Sequence, residues 1–253
     1  MSFSSLRDFL DHLEGRGELK RVLVPVDPAL EITEICQRTL RRNGPALLFE
    51  NPKGSSIPLL GNLFGSTRRV AAALGRQDIS ELREIGEMLA WLREPRLPRG
   101  IKELMDRFPL LRSILHARPR LRDNSPCRTH VIEGPDVDLA RFPIQHCWPE
   151  DAGRLITFGL VITRGPHKER QNIGIYRQQV IERNKVIMRW LHHRGGAIDF
   201  CEFQEANPGK PFPLAVVIGA DPATLLAAVT PIPDTISEFE FAGLLRGARS
   251  EVV

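Results

Sequence analysis

Apolar and polar positions follow two different patterns along the chain, and the change falls near residue 115. In the first part apolar residues recur at helical spacing, as in residues 5–14, where Ser4 or Ser5 is the predicted cap. Short apolar runs between polar turns predict strands. The elements predicted here are helices over residues 5–14, 29–42, 67–74 and 79–92, and strands over residues 18–26 and 46–49. This succession predicts an N-terminal α/β domain.

Beyond residue 115 the pattern becomes that of short strands joined by turns, which is typical of an antiparallel meander. The predicted strands cover residues 129–133, 155–163, 172–181, 186–192 and 214–218, the last of them buried, and predicted helices begin at residues 196, 222 and 237. A proline-rich basic connector over residues 93–122, with one helix inside it, separates the two parts. We therefore predict domains over residues 1–115 and 116–253 and an α+β class. Because the last three residues begin a further strand, the chain is expected to end inside a domain.

The composition of the 253 residues is that of a globular protein, with 42% hydrophobic and 26% charged residues. No stretch approaches the about 20 apolar residues that a membrane-spanning helix needs. The first 17 residues mix acidic, basic and apolar side chains, unlike a secretion signal or a transit peptide. A cytoplasmic protein is expected. The four cysteines form no CxxC pair and are expected to be reduced thiols.

The net charge of +4 is concentrated in residues 68–122, where thirteen Lys or Arg face seven Asp or Glu. Such a segment suits nucleic acid, an anionic membrane surface, an acidic ligand or an ordinary solvated face or subunit contact. Aromatic residues are not interleaved with the basic ones, so stacking on single-stranded nucleic acid has little support. We expect no nucleic-acid partner.

The densest polar stretch, residues 172–196, is the main candidate for chemistry. It places Asn172, Arg177, Arg189 and Arg194 in one predicted hairpin and the loop after it, which is costly to bury without a ligand. Guanidinium groups bind phosphate or carboxylate, and a helix beginning at Arg194-Gly195-Gly196 offers backbone N–H groups to the same anion. A phosphorylated ligand is one interpretation, and an arginine-rich surface hairpin is the other.

Strand parity constrains how this stretch can form a site. It places Arg189 and Leu191 on one face and Trp190 on the other. It also places Asn172 and Arg177 on opposite faces, so a site that contains both requires a strand end or a bulge.

Metal-ligand chemistry is available nearby. Glu238 follows Ser237 at the start of a predicted helix, where a carboxylate is either ordinary helix chemistry or a ligand. Asn and Glu oxygens with a His nitrogen suit Mn²⁺ or Mg²⁺. His192 and His193 point to opposite sides of an extended chain, so at most one is expected to bind. The HExxH, P-loop, GxGxxG and GxSxG motifs do not occur, which removes the usual support for Rossmann-type hydride transfer and serine hydrolysis.

Three long motifs resemble the UbiD family, and the opening LEGRGELKRV is also similar to the start of its members. They are FPIQHCWPEDAG from residue 142, LITFGLVITRGPHKERQNIGIYRQQVIERNKVIMRWLHHRGGAIDF from residue 155, and PIPDTISEFEFAGLLRG from residue 231. The resemblance implies an N-terminal α/β domain followed by a split β-barrel like that of flavin reductases, incomplete at its C-terminal end. It also implies a homo-oligomer, a hexamer in the family.

The resemblance further implies a prenylated FMN cofactor whose phosphate is bridged to the protein by Mn²⁺. The residues that match the family's metal positions are Asn172, Glu238 and His193. The residues that match its flavin contacts are Ile175, Tyr176, Arg177, Arg189, Trp190, Leu191, Arg194 and Gly195. Arg177 matches the catalytic arginine, which would orient the substrate carboxylate. The family's proton-donating acids are expected beyond the last residue of this sequence.

The implied reaction is the non-oxidative decarboxylation of 4-hydroxy-3-polyprenylbenzoate to 2-polyprenylphenol and CO₂ in ubiquinone biosynthesis. The alternatives are a decarboxylase of another aromatic or α,β-unsaturated acid, and an inactive cofactor-binding fragment that lacks the acid. A flavin prenyltransferase is implied as the cofactor supplier. The polyprenyl tail of the substrate implies peripheral contact with the inner face of the cell membrane, for which the basic segment 68–122 is a candidate.

Overall fold

The N-terminal part is built on a three-stranded sheet in a computed structural model that describes residues 2–94, 105, 118–233 and 235–253. β1 (Leu19–Val22) pairs in parallel with β2 (Ala46–Phe49), and β2 pairs antiparallel with β3 (Leu59–Gly61). Parallel neighbours need a crossover connection, which α2 (Glu31–Arg41) supplies. This arrangement confirms the α/β pattern predicted for these residues.

Two of the other helices of this part begin directly after a capping serine, and for the first of them Ser5 is one of the two predicted caps. α1 (Leu6–Gly15) starts after Ser5, whose side chain accepts a hydrogen bond from the Asp8 N–H. α3 (Thr67–Ala73) starts after Ser66 in the same way. α4 (Leu82–Arg93) follows one turn of 3₁₀ helix.

The second part contains two three-stranded antiparallel sheets. The first has the order β10 (Ala215–Val217), β6 (Leu160–Thr163) and β7 (Asn172–Ile175). The second has the order β5 (Leu155–Ile156), β8 (Gln178–Glu182) and β9 (Lys185–Met188). A short parallel pair joins β4 (Arg120–Leu121) to β11 (Glu251–Val252). The α-helices described in this second part are α5 (Gly195–Ala206), α6 (Pro222–Ala227) and α7 (Glu238–Arg246).

Two predicted strands are each divided between the two sheets. Residues 155–163 form β5 and β6, and residues 172–181 form β7 and most of β8. The first break lies next to Gly159, where a Cβ would lie 2.9 Å from the Val216 side chain, so a larger residue there would require Val216 to shift. Periodicity along a strand does not reveal such a change of sheet, because the strand-like residue types continue across the break.

One further strand prediction was wrong, and for another strand only the predicted burial was wrong. Residues 129–133 are not a strand, and Val131 and Ile132 are 67% and 47% exposed. The strand over residues 214–218 exists as β10 but is not buried, because it lies at the edge of its sheet with Ile218 59% exposed. In the second case apolar composition was taken for burial. The predicted boundary near residue 115 and the helix within the connector lie outside the described residues.

The main apolar core crosses from one part of the chain to the other. Phe9 and Leu13 of α1 share one cluster with Leu160 of β6, Ile173 of β7 and Phe239 of α7. Each is less than a tenth exposed. β7 and α7 are therefore anchored on one side, which leaves their neighbouring polar residues to face the other. The described residues form separate small sheets rather than a closed barrel, and none of their helices combines the length and hydrophobicity of a membrane span.

Candidate cofactor site

A cleft of about 840 Å³ lies between β7, the segment after β9, the start of α5 and the start of α7. It is lined by all but two of the residues that the sequence proposes for the site. Those lining it are Asn172, Ile175, Tyr176, Arg189, Leu191, His193, Arg194, Gly195 and Glu238. Residues from three separate segments, 172–176, 189–195 and 238, thus meet at one place.

Asn172 is positioned by the pairing of β6 with β7, which sets it directly opposite Thr163. Its Nδ2 donates to Thr163 Oγ1 at 3.2 Å. The other side of the amide faces the start of α5, because a Cβ on Gly195 would overlap Oδ1 and would lie 2.8 Å from Cγ. The absence of a side chain at Gly195 therefore makes room for the amide oxygen.

Glu238 is the first residue of α7, which Ser237 caps through a reciprocal hydrogen-bonded box with Glu240. Its Oε2 accepts from the backbone N–H of Ile173 at 2.9 Å, which links α7 to β7. Burial raises the pKa of the Glu238 carboxyl, and the nearby Arg170 acts in the opposite direction. A cation in the cleft would offset the cost of keeping this carboxylate ionised.

His193 lines the cleft, whereas its neighbour His192 does not. Their rings lie 5.5 Å apart and nearly perpendicular, as expected for adjacent residues that point different ways. Within the described residues no three His, Cys, Asp or Glu side chains are grouped closely enough to hold a metal ion. The proposed ligand set contains only two residues of those types and depends on Asn172 for its third. Its two oxygens and one imidazole nitrogen fit Mn²⁺ in donor type.

The cleft carries an excess of positive charge. Its cationic side chains are Lys168, Arg170, Arg189 and Arg194, and its carboxylates are Asp199 and Glu238. Arg194 is the N-cap of α5, and no side chain caps that helix. Unsatisfied N–H groups at a helix start next to guanidinium groups suit a phosphate. The arrangement fits the phosphate group of an anionic ligand.

Sequence reasoning missed Lys168, Arg170 and Asp199, which also line the cleft. Lys168 and Arg170 come from the turn between β6 and β7, which appeared to be an ordinary loop. Asp199 stands one turn into α5 and is only 2% exposed. The sequence did contain a signal for Asp199, namely a carboxylate on the apolar face of a predicted helix. Aspartate is rarely buried without a partner, so such a position indicates a polar contact or a ligand.

Trp190 lies behind the cleft and does not line it. Its ring contacts Tyr176, Phe200 and Phe212, and a Cβ on Gly196 would come within 3.2 Å of it. Arg189 and Leu191 line the cleft on the other side of the chain, as strand parity predicted. Trp190 therefore supports the wall instead of facing a ligand.

Arg177 is the other predicted site residue outside the cleft lining. It lies in the link between β7 and β8, and its Nη2 donates to Asp151 Oδ2 at 2.7 Å. This contact lowers the pKa of the Asp151 carboxyl. The strand end that the parity argument required is present, but Arg177 turns toward Asp151 and not toward Asn172.

The four cysteines take no part in the cleft lining, and all are free thiols, as predicted. Burial raises the pKa of the Cys36 thiol to about 11, with a smaller contribution from Cys147. A thiol with so high a pKa is a poor nucleophile at neutral pH.

Fold and cleft together define an α+β protein with a cationic cleft suited to an anionic ligand. Comparison with known families gives a more specific result. The model of the 3-octaprenyl-4-hydroxybenzoate carboxy-lyase Rift-related domain matches residues 120–253, and that of the N-terminal domain of the same enzyme matches residues 10–89. The first covers more than half of the chain, which therefore belongs to the UbiD family.

Solved structures support this assignment. The chain is 30% identical to an evolved dimeric form of the UbiD-class enzyme HmfF from Pelotomaculum thermopropionicum in complex with prFMN, with a TM-score of 0.78, covering 98% of this chain and 52% of that one. It is 27% identical to the closed form of vanillic acid decarboxylase from Sedimentibacter hydroxybenzoicus, with a TM-score of 0.81, covering 100% and 51%. It is 25% identical to apo 3,4-dihydroxybenzoic acid decarboxylase from Klebsiella pneumoniae, with a TM-score of 0.77, covering 98% and 50%. The chain spans about half the length of these relatives.

Proposed function

We propose that this chain forms the cofactor-binding part of a prenylated-FMN-dependent decarboxylase of aromatic or α,β-unsaturated acids. The observation that carries the proposal is the meeting of Asn172, Glu238 and His193 with Arg189 and Arg194 in one cleft. An oxygen-rich metal site beside guanidinium groups is the chemistry that holds a metal-bridged phosphate. Two of the structurally similar proteins are described as decarboxylases of aromatic acids, and a third is in complex with prFMN.

In this proposal Asn172, Glu238 and His193 hold Mn²⁺. Arg189, Arg194 and the N–H groups at Gly195 bind the flavin phosphate, and Ile175, Tyr176 and Leu191 form the wall against the ring system. When bound, the prenylated flavin supplies the electron sink for loss of CO₂. Trp190 contributes from behind, by fixing the ring of Tyr176 through their edge contact.

Arg177 is proposed to orient the substrate carboxylate. It directly follows Tyr176, which lines the cleft. Its contact with Asp151 uses Nη2. A guanidinium has five N–H donors and can bind a second carboxylate while keeping the first.

The finer proposal for the substrate is 4-hydroxy-3-polyprenylbenzoate, giving 2-polyprenylphenol and CO₂ in ubiquinone biosynthesis. The description of the matching family model supports it. A polyprenyl tail requires an apolar surface or a membrane, so we also propose peripheral contact with the inner face of the cell membrane. Homo-oligomer formation, as a hexamer, and cofactor supply by a flavin prenyltransferase belong to the same proposal.

Native mass spectrometry of the full chain, co-produced with a flavin prenyltransferase and supplied with Mn²⁺, tests the cofactor site. We expect one prenylated FMN and one Mn²⁺ for each chain. Arg194→Gln should lower the flavin-bound fraction, whereas Arg183→Gln should not, because Arg183 lies outside the cleft lining and pairs with Asp138. A wild-type chain that retains neither group would contradict the proposal. The loaded chain is then assayed for CO₂ release from short-tailed and polyprenylated hydroxybenzoates.

Arg177→Lys is expected to reduce CO₂ release by about tenfold without changing flavin retention. Lysine keeps the charge but is a point donor, so it cannot hold Asp151 and a substrate carboxylate with a planar fork. Steady-state rates at saturating and limiting substrate, together with the flavin absorbance, separate the two effects. Unchanged turnover would remove Arg177 from the reaction, and loss of flavin would instead make it a binding residue.

A further inference from the structure

A chain of polar contacts runs along the wall of the cleft and ends at Asn172. Lys168 Nζ lies 2.8 Å from Asp199 Oδ1, and the Thr163 hydroxyl donates to Asp199 Oδ2 at 2.7 Å. Thr163 Oγ1 in turn accepts from Asn172 Nδ2 at 3.2 Å. Thr163 and Asp199 are each 2% exposed. These contacts connect the first turn of α5 to the paired strands β6 and β7.

The direction of this chain follows from the chemistry of its members. A carboxylate only accepts hydrogen bonds, and that of Asp199 forms an ion pair with the Lys168 ammonium at 2.8 Å. A hydroxyl has one hydrogen, and that of Thr163 is used on Asp199. Thr163 Oγ1 can then offer only a lone pair to Asn172, so the amide must present its NH₂ group to Thr163. The Asn172 oxygen is thereby directed away from Thr163 and toward Gly195 and the cleft.

We propose that Asp199, acting through Thr163, is a positioning residue that holds the amide oxygen of Asn172 toward the cleft for a divalent cation. The inference rests on the proposed metal site. Without the chain of contacts the amide can rotate by half a turn at little steric cost, because its two ends have nearly the same shape. The rotated form would place an NH₂ group, which cannot bind a metal, where the ligand oxygen is needed.

Asp199→Asn tests the direction of the chain. An asparagine at this position can donate to Thr163, which frees the hydroxyl hydrogen for Asn172 and permits the rotated amide. We expect the affinity for Mn²⁺ to fall at least tenfold. The matched control is Glu202→Gln. Glu202 Oε2 lies 2.9 Å from the same Lys168 ammonium but forms no hydrogen bond with Thr163. The Mn²⁺ affinity of the Glu202→Gln chain should therefore stay within about twofold of wild type.

Thr163 variants separate hydrogen bonding from charge. Thr163→Val removes the hydroxyl at nearly constant shape and changes no charge, and it should lower the Mn²⁺ affinity as Asp199→Asn does. Thr163→Ser restores the hydroxyl and should restore the affinity. The measurement is titration of the full chain with Mn²⁺ in the presence of FMN, following free Mn²⁺ by electron paramagnetic resonance, with circular dichroism as the check on folding.

The outcomes distinguish this inference from the proposed function. A wild-type chain that binds no Mn²⁺ would overturn the metal site and this inference with it. Wild-type binding with unchanged affinity in Thr163→Val would overturn the inference alone, as would equal losses in Asp199→Asn and Glu202→Gln. If Thr163→Val fails to fold, the comparison of Asp199→Asn with Glu202→Gln still decides. Loss in Asp199→Asn and Thr163→Val, with recovery in Thr163→Ser, supports it.

Discussion

Replacing Arg69 by Met is expected to destabilise the folded chain by about 3–5 kcal/mol, the usual cost of removing one partner of a buried ion pair. Arg69 is 1% exposed and stands in α3. Its guanidinium donates to the carbonyls of Leu63, Asn62 and Gly44 at 2.9, 3.2 and 3.1 Å, and pairs with Glu18 at 3.0 Å. Methionine fills a similar volume but leaves these acceptors without donors in the interior.

Arg68→Met is the matched control. Arg68 is the preceding residue, it also pairs with Glu18, at 3.3 Å, and its side chain is 71% exposed. An exposed ion pair contributes about 0–1 kcal/mol, so the free energy of unfolding of this variant should be close to that of the wild type. Urea denaturation followed by circular dichroism gives the free energy of unfolding for both. Equal effects of the two substitutions would show that Arg69 acts only as a surface charge does.

Gly195→Ala is expected to weaken FMN and Mn²⁺ binding at least a hundredfold, which corresponds to about 2.7 kcal/mol, while the chain still folds. The added Cβ would overlap Asn172 Oδ1 and lie 2.8 Å from its Cγ. The Asn172 side chain must therefore move out of its position opposite Thr163. Because the obstruction is one side chain and not backbone, the fold can accommodate the change, whereas the proposed ligand cannot keep its place.

Gly86→Ala is the control for this second prediction. Gly86 lies within α4, and a Cβ there would meet nothing within 4 Å. Alanine in a helix interior is favoured over glycine by about 1 kcal/mol, so this variant should be slightly more stable with unchanged binding. Fluorescence titration with FMN and calorimetry with Mn²⁺ measure the two affinities. Wild-type binding by Gly195→Ala would mean that the space beside Asn172 is not needed.

Local signals located most helices closely. Ser5 and Ser237 cap the helices they were predicted to cap, and the elements at residues 67–74 and 196 were placed within about one residue. A helix end is determined by side chains a few residues apart, so the information is contained in a short window. Strands were less predictable, since a strand needs a partner that periodicity does not identify.

The site was predictable to a different degree in each of its parts. Cationic residues near Gly195 were compatible with a phosphate or with an arginine-rich surface hairpin, and the long motifs indicated the family. The position of Arg177 could not be obtained in this way, because the chain leaves one sheet for another between Ile175 and Gln178. Its pairing with Asp151 joins residues far apart in sequence.

The sequence by itself determined the helix caps, the apolar segments of the core and the membership of the UbiD family, because each is carried by contiguous residues. Only the tertiary structure decided which side chains from distant segments meet in the cleft. The pairing of β6 with β7 sets Thr163 beside Asn172, and the packing of α5 brings Asp199 to Thr163. Such contacts depend on strand register and on helix rotation, which are fixed by the burial of the whole core and not by any one segment.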